Sequence, residues 1–494
     1  MLTQLLRDAG GPPGSGDTPE ALGSHLQAIQ VWLRRQEPLA EATTSRRRLL
    51  TAADLMAATL AGMTAEKVAA EGFDHLDRWE IRAWLARHGA SREALASSIM
   101  AAAEGFAFGY PGSHRGPAGI GAGAFLHNIC RTAFAASDGR FFQMQAGAGD
   151  TVFAPLYQVL TARGVRFRFF HAVTGLHRSA DGKSVGSISM VRQAQPLNGY
   201  DPLVPVRSLP CWPSAPLWDQ LRDGERLQGT TPDFEDESRP PTGEPLTLKA
   251  GAGFDAVILG IGIGALPDLT AELAEASTDW AAMLAQVKTA AVRTAQLWLT
   301  VPSAEYGWKQ MADAANPDAP SGNRPLQTLT AGLPGGFGTW TDASAQIARA
   351  DWGDDDRPWS IAAFTGIAPE PPEPPEAGDA NGRLREWLEA CMVHLWPHMR
   401  AKDGGFLFTA LHDPQGRSGA DRLSWQFVQT AAHGSQRQTL AAPGSLACRL
   451  PPDGSGFDNL YLAGDWTRTD LNAPSMEAAA AAGIQAASAV LKRG

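Results

Sequence analysis

The sequence predicts an α/β protein in which a sheet is assembled from segments far apart in the chain, beside a second region of mixed α+β structure. Two short apolar runs carry this prediction. FDAVILGIGIGA, from Phe254, is a buried strand running into a glycine turn, and Asn459 to Ala463 is a strand followed by a polar loop and an alanine-rich helix. Short continuous apolar runs are typical of buried parallel strands. At 494 residues, the chain is also too long for one simple core.

Composition narrows the class of protein. Hydrophobic residues make up 44% and charged residues 19%, as in a well-packed soluble globule. The formal net charge of −10 argues against a nucleic-acid partner. The start of the chain has an acid, Asp8, and no long apolar run, so no secretory signal is expected. We therefore expect a cytoplasmic protein whose four scattered cysteines are reduced and bind no metal: Cys130, Cys211, Cys391 and Cys448.

The first 140 residues are predicted to be mainly helical. In DRWEIRAWLARHG, the pair Asp77 and Glu80 resembles a capping box, and Gly89 stands where a left-handed C-cap belongs. The apolar stretch from Leu49 to Met63 is too short to span a bilayer and contains Asp54, so we interpret it as a buried or cap helix. Because basic residues precede it, a peripheral membrane contact is the alternative. Helical spacing places four residues on one face of the later helix: Ile81, Trp84, Leu85 and His88.

The pattern changes after residue 140. PLYQVLTARG is predicted to be a helix with Pro155 in its first turn and Gly164 beyond its end. VRFRFFHAV, from Val165, is predicted to be a strand, and Asp181-Gly182 joins two further strand-like runs as a hairpin. The polar segment from Arg226 to Leu248 is expected to be a long surface loop.

Three later segments are also predicted from local pattern. VRTAQLWLTV, from Val292, is a strand, and NGRLREWLEACMVHLW is an amphipathic helix that ends near Pro397. PEPPEPPE, from Pro369, is an extended polyproline spacer.

Other motifs in the sequence are weak. Gly260, Gly262 and Ala265 satisfy G-x-G-x-x-A after a strand, but Pro267 falls at the expected helix start and no acid-ending strand follows about 20 residues later. We favour the interpretation that these glycines let a strand end approach a cofactor or another backbone. GGPPGSG, from Gly10, lacks donors because of its prolines.

A metal site and hydrolase motifs have little support. The helical trio of Cys391, His394 and His398 is interrupted by Pro397 and lacks a fourth ligand, so a structural role is favoured over a metal site. No Ser-His-Asp order, HExxH or Walker motif can be identified.

The C-terminal strand-turn-helix has features that a plain packing helix does not explain. Gly464 permits close backbone approach, and Asp465 lies at the carboxyl end of the strand, where ligands bind in open α/β sheets. The helix beginning near Ser475 offers unpaired N–H groups and positive dipole character, which would stabilise a group that becomes anionic on reduction. A small-residue seam is predicted to let this helix pack closely: Ser475, Ala479, Gly483 and Ala487.

At these residues the sequence resembles the superfamily of flavin-dependent amine oxidases and phytoene desaturases. LYLAGDW and SMEAAAAAGIQAA match its closing signature of a strand, Gly-Asp, a loop and a helix opening on a Met-Glu pair. The run from Met144 to Val173 is similar to the family's glycine-bearing segment, helix and adenine-side strand, and FDAVILGIGIGA is similar to its return strand. The resemblance implies an FAD-binding Rossmann-like sheet domain from discontinuous segments.

Carried over residue by residue, the resemblance implies specific contacts with FAD. Asp465 would hold the ribitol or pyrophosphate region, and Gly464 would allow close approach. The N–H of Met476 would face the N1–C2=O edge of the isoalloxazine, and Val173 would meet the adenine through its main chain. Ser475 occupies the position where amine oxidases place an aromatic residue, so amine oxidation is not favoured.

One part of the family pattern is missing from the sequence. The family begins with a GxGxxG βαβ unit that binds the FAD diphosphate, and this chain shows none, so the predicted sheet domain is incomplete. Three alternatives follow: another polypeptide supplies that unit, the gene is split or mis-started, or the protein no longer binds FAD.

The sequence thus predicts an FAD-dependent oxidoreductase of the desaturase or dehydrogenase type. It would transfer hydride from a C–H bond of an apolar small molecule or lipid-like substrate to flavin N5, with no general base assigned. The alternatives are a half-site subunit that needs a partner chain to bind FAD, and a flavin-free apolar-ligand-binding protein. The expected organisation is a helical lid (1–140), a flavin-domain segment (141–192), a substrate-domain loop region (193–248), a return strand (249–270), a substrate domain (271–439) and the C-terminal flavin-binding element (440–494).

Overall fold

A computed structural model describes residues 26, 28–33, 35, 44–107, 119–134, 144–230, 233–308, 329–333, 336–353, 356–368 and 380–493. Its α-helices are α1 (Thr44–Ala65), α2 (Val68–Glu71), α3 (Ile81–Arg87), α4 (Arg92–Leu95), α5 (Ser98–Phe106), α6 (Ala122–Phe134), α7 (Ala154–Ala162), α8 (Gly224–Thr230), α9 (Leu266–Leu269), α10 (Ala271–Ala276), α11 (Thr278–Gln286), α12 (Ala380–Trp387), α13 (Val393–Leu395) and α14 (Met476–Arg493). Its strands are β1 (His171–Arg178), β2 (Val185–Arg192), β3 (Val204–Val206), β4 (Leu209–Cys211), β5 (Glu244–Lys249), β6 (Val257–Leu259), β7 (Thr289–Ala290), β8 (Val292–Leu299), β9 (Leu329–Ala331), β10 (Thr339–Asp342), β11 (Ser360–Ile367), β12 (Phe427–Ala431), β13 (Gln438–Thr439) and β14 (Leu460–Leu462).

The described part of the first 140 residues is mainly helical, as the sequence predicts, and the helices α1 to α6 share one apolar core. Ile81, Trp84 and Leu85 of α3 are buried there, and Gly89 adopts the left-handed conformation expected after the helix end. The capping box is wrong: Glu80 itself caps α3 by accepting from the Ala83 N–H, because the Asp77 carboxylate is used elsewhere.

Helix α1 spans the run from Leu49 to Met63 and leaves Met56 and Leu60 exposed. None of the helices within the described ranges combines the length and the apolar character that crossing a bilayer requires. A peripheral membrane contact stays a prediction.

A second core lies on a five-stranded antiparallel sheet in the order β12-β8-β11-β10-β9. Strand β8 confirms the prediction for VRTAQLWLTV. The predicted amphipathic helix is α12, which continues through a π-helical turn (Leu388–Met392) into α13. Aromatic side chains fill the core shared by the five-stranded sheet and these helical segments: Tyr306, Trp340, Phe364, Trp387 and Trp396. The polyproline run at 369–376 and the glycine-proline run at 10–16 lie outside the described residues.

The Asp181-Gly182 hairpin is confirmed, because β1 and β2 pair antiparallel across it. Two neighbouring predictions are only partly correct, and β1 covers just the last three residues of the predicted VRFRFFHAV strand. Residues 165–170 form no strand, since the chain turns at Phe170, whose φ is 59°, and its aromatic side chains pack against Tyr157 and Tyr200 instead. The segment from Arg226 to Leu248 is not all loop, because β5 pairs with β2 and makes a three-stranded antiparallel sheet.

The two apolar runs that predict the fold class pair with each other. Strands β6 and β14 are parallel, with Val257 opposite Leu460 and Leu259 opposite Leu462. The Asn459 side chain joins this pair to the hairpin, because its amide donates to the Val185 carbonyl and accepts from the Val185 N–H. Within the described residues the parallel sheet has two strands, so the full Rossmann-like arrangement is not observed.

The glycines after β6 allow a backbone to approach, as the favoured interpretation expects. A Cβ on Gly262 would lie 2.5 Å from the Ser435 carbonyl oxygen, and one on Gly264 would lie 2.2 Å from that of Gly434. Pro267 stands in the first turn of α9. The segment therefore packs against residues 434–435 where a fingerprint turn would receive phosphate.

Helix α14 begins where the sequence predicts and packs on β14 with small side chains. The predicted seam is wrong by one position, because the buried residues are Ala478, Ala482 and Ala486. Small residues occupy most positions of this helix, so its composition does not show which face is buried.

Candidate functional site

Asp465 lies at the carboxyl end of β14 and is partly buried. Its Oδ1 accepts a hydrogen bond of 2.8 Å from the Thr439 hydroxyl, while no other described residue donates to its Oδ2. Thr439 is held in β13, whose pairing with β7 places it beside the strand tip. One carboxylate oxygen is therefore fixed by the protein and the other can accept a hydrogen bond from a ligand.

Arg449 lies behind this carboxylate and is 2% exposed. Its Nη1 donates to the Asp465 carbonyl at 2.7 Å and its Nη2 to the Leu440 carbonyl at 3.1 Å. Burial lowers the pKa of Arg449 to about 10, although Asp465 and Asp77 favour its charged form. Sequence reasoning missed Arg449, which belongs to no motif.

The carboxylates around Arg449 are also affected by burial. Burial raises the pKa of Asp465, against the Thr439 hydrogen bond and the positive charge of Arg449. Burial likewise raises the pKa of Asp77, whose Oδ2 accepts from the Leu446 N–H at 3.0 Å. The site therefore contains one buried cation, Arg449, near a buried acid, Asp77, and a partly buried one, Asp465.

Gly464 has a φ of 150° and sits against the indole of Trp466. A Cβ at Gly464 would lie 2.4 Å from Trp466 Nε1, which donates to the Ile261 carbonyl at 3.1 Å. The missing side chain thus makes room for a tryptophan that joins the ends of β14 and β6. Close approach of a cofactor at Gly464 stays a prediction.

The start of α14 retains unpaired donors. The Ser475 hydroxyl accepts from the Ala478 N–H at 3.2 Å and so caps the helix. Among the described residues, none accepts from the N–H groups of Met476 or Glu477, and both residues are exposed. Two aligned donors at the positive end of an 18-residue helix can bind an electron-rich group.

Val173 lies in β1 opposite Met190, next to an irregularity in the β1–β2 register. Its side chain packs against the core that contains Leu462 and Trp466. The structure thus brings Val173 to the same core as the C-terminal element, while its contact with an adenine is untested.

The structure also assembles a trio that no motif indicates. His177 Nδ1 lies 2.8 Å from Glu272 Oε1, and His177 Nε2 lies 2.8 Å from the Ser189 hydroxyl. Glu272 also accepts from the Arg178 N–H. This trio ties α10 to the antiparallel sheet of β1 and β2, since Glu272 bonds both His177 and Arg178.

The helical Cys391, His394 and His398 do not meet as ligands. His398 Nδ1 instead lies 3.0 Å from the Glu305 carbonyl. Across the described ranges, no group of three His, Cys, Asp or Glu side chains could hold a metal ion.

Comparison with known proteins points to this C-terminal region. Residues 417–491 match the model of a family described as flavin containing amine oxidoreductase. No curated protein matches the chain. Among solved structures, the chain is similar to an oxidoreductase from Methanosarcina mazei, at 11% identity and a TM-score of 0.45 over 92% of this chain and 74% of that one. The family match includes Thr439, Arg449, Asp465 and Met476, and supports a flavin-type oxidoreductase.

Proposed function

We propose that this chain is an FAD-dependent oxidoreductase of the desaturase or dehydrogenase type. The proposal starts from the match of residues 417–491 to the family of flavin containing amine oxidoreductases. The observation that carries the proposal is the pairing of a strand-tip carboxylate, Asp465, with the unpaired donors at the start of α14. The Asp465 carboxylate can accept hydrogen bonds from ribitol hydroxyls, and the N–H groups at the start of α14 can donate to the flavin ring. These residues therefore fit FAD.

Each of these residues has a distinct task in the proposal. Thr439 and Arg449 hold Asp465 so that Oδ2 meets a hydroxyl of the cofactor. The N–H of Met476 would donate to the N1–C2=O edge of bound FAD, where the helix dipole would favour negative charge. When bound, FAD would accept a hydride at N5 from a C–H bond of an apolar, lipid-like substrate. Ser475, as a helix cap, provides no aromatic wall for an amine.

Flavin binding by an Asp465→Ala variant tests the site. Loss of a hydrogen bond to a charged acceptor is expected to weaken FAD binding by about 10- to 100-fold. The measurement is a titration of purified protein with FAD, followed by the visible flavin spectrum. Asp453→Ala is the matched control, because Asp453 is an exposed acid in the same region and should bind FAD like the unaltered chain.

Three outcomes separate the proposals. If Asp465→Ala holds as much FAD as the unaltered chain, the site assignment is wrong. If the unaltered chain stays colourless with FAD alone but binds it with a partner, the half-site alternative is correct. If it stays colourless in both cases, a flavin-free binding protein is favoured.

One observation favours the half-site subunit as a second candidate. In the parallel pair, Val257 N–H donates to Asn459 and Leu259 accepts from Ala463, so the N–H and C=O of Ile258 point to the opposite edge of β6. No described residue bonds that edge, and the Ile258 side chain is 49% exposed. An open apolar edge is where a further strand would pair.

The partner in this second candidate is a chain carrying a GxGxxG strand-turn-helix. Co-expression of the two chains should give a complex that binds FAD when neither chain does so alone. Ile258→Lys should reduce recovery of the complex, because a charge on an edge strand opposes pairing. Leu491→Lys, which alters another exposed apolar side chain far along α14, is the control.

A further inference from the structure

Arg449 is positioned to fix the geometry of the strand tip. The Thr439 hydroxyl and the Asp465 carboxylate bond to each other across two segments. Arg449 bonds the main chain of the same two segments, at Leu440 and Asp465. Its planar guanidinium can donate in two directions at fixed spacing, which an ammonium group does not match. The two carbonyls are therefore clamped on either side of the side-chain contact.

Its charge also has an unusual environment. Removing a guanidinium from water is energetically unfavourable, so a buried arginine needs compensating partners. Among the described residues, the direct partners of Arg449 are carbonyl oxygens. The acids that act on it, Asp77 and Asp465, do so without forming a contact ion pair. Arg449 thus remains available to stabilise negative charge on Asp465.

We propose that Arg449 is a positioning residue for the cofactor: it clamps Leu440 and Asp465 and favours the charged form of the Asp465 carboxylate, so that Oδ2 can accept from the ribitol hydroxyls of FAD. This inference rests on the proposed flavin function. Arg449 itself touches neither cofactor nor substrate in the proposal. The charged groups around the clamp are Asp465 and Asp77, and Asp74 acts on Asp77.

The test compares FAD binding to Arg449→Met, Arg449→Lys and a control, between pH 5 and pH 8. The control is Arg468→Met, since Arg468 lies three residues beyond Asp465 but is exposed. Arg449→Met should bind FAD about 10-fold or more weakly at pH 7. Without the cation, Asp465 takes up a proton more readily, so affinity should also begin to fall at a higher pH. A purely structural arginine would not move that midpoint.

The lysine variant separates charge from geometry. Arg449→Lys should restore the pH midpoint but bind FAD several-fold more weakly, because its single nitrogen does not reproduce the fork. If Arg449→Met does not fold, Arg449→Lys decides the question. The inference is overturned if the variant that folds binds FAD with the same affinity and the same pH midpoint as the unaltered chain.

Failure of the inference differs from failure of the proposed function. If Asp465→Ala loses FAD and the Arg449 variants do not, only the positioning role is wrong. If the unaltered chain binds no FAD with or without a partner, both are wrong.

Discussion

At the scale of single residues, Gly464 shows how a motif glycine can have a second use. Its φ of 150° is a conformation that L side chains rarely adopt, and the Trp466 indole fills the space where a Cβ would be. Trp466 is almost fully buried and bonds to the strand neighbour through Ile261. Gly464 is therefore needed for folding whether or not a cofactor approaches it.

Gly464→Ala is expected to lower the free energy of unfolding by about 2–4 kcal/mol, from backbone strain and the clash with Trp466. Gly483→Ala is the matched control, since a Cβ there meets open space within α14. That change should raise stability by about 0.5–1 kcal/mol. Thermal and urea unfolding, followed by circular dichroism, would measure both. Equal stability of the two variants would contradict this account of Gly464.

Whether a contact of a site residue can be predicted from the sequence depends on how far apart the two residues lie along the chain. Asp465 could be identified because the strand, glycine, acid and helix lie within one short stretch. Arg449 and Thr439 meet Asp465 from 16 and 26 residues away, and Asp77 meets Leu446 from 369 residues away. No local pattern encodes these contacts. For the same reason the local spacing predicts a helix cap at Asp77, whereas its carboxylate bonds Leu446 in the structure.

At the scale of elements, the open edge of β6 makes a measurable prediction. The amide of Ile258 points away from β14 and finds no acceptor among the described residues, whereas Val257 donates to Asn459 at 2.8 Å. Hydrogen exchange should therefore be fast at Ile258 and slow at Val257, by orders of magnitude if β6 is stable. Exchange resolved to single residues would measure this.

The outcome at Ile258 bears on the second candidate function. Adding a partner strand should slow exchange there and leave Val257 unchanged. Protection of Ile258 in the chain alone, equal to that of Val257, would contradict an open edge.

Elements defined by strong local signals were predicted well. The hairpin at Asp181-Gly182, α7 with Pro155 and Gly164, and the β6 and β14 runs all agree with the structure. The first six residues of the strand predicted from Val165 form no strand, because strand propensity needs a pairing partner and aromatic packing holds that segment instead. Strand β5 was missed because its exposed, polar pattern resembles a loop and only pairing with β2 makes it a strand.

At the scale of the whole molecule, Asp77 joins the helical region to the C-terminal part of the chain. Its carboxylate accepts from Leu446 and its carbonyl accepts from Gly444. Nearby, the Gly121 N–H donates to the Ala441 carbonyl at 2.8 Å. Because these bonds link segments that are distant in sequence, the state of Asp77 affects how the two regions hold together.

This linkage predicts a specific pH dependence of stability. The pKa of Asp77 is raised in the folded protein by burial, so the folded state binds a proton that the unfolded state has released. The stabilisation is complete below the ordinary aspartate pKa of about 4 and is lost as pH rises through the raised value.

Asp77→Asn keeps an acceptor for Leu446 but cannot ionise. Relative to this variant, the unaltered chain should therefore lose stability as pH rises from about 4 toward neutrality, and thermal unfolding of both proteins across that range would measure the difference. If the difference in stability between the two proteins does not change with pH, Asp77 does not carry the linkage. If the unaltered chain instead gains stability as pH rises, Arg449 outweighs burial and holds the carboxylate in its charged form.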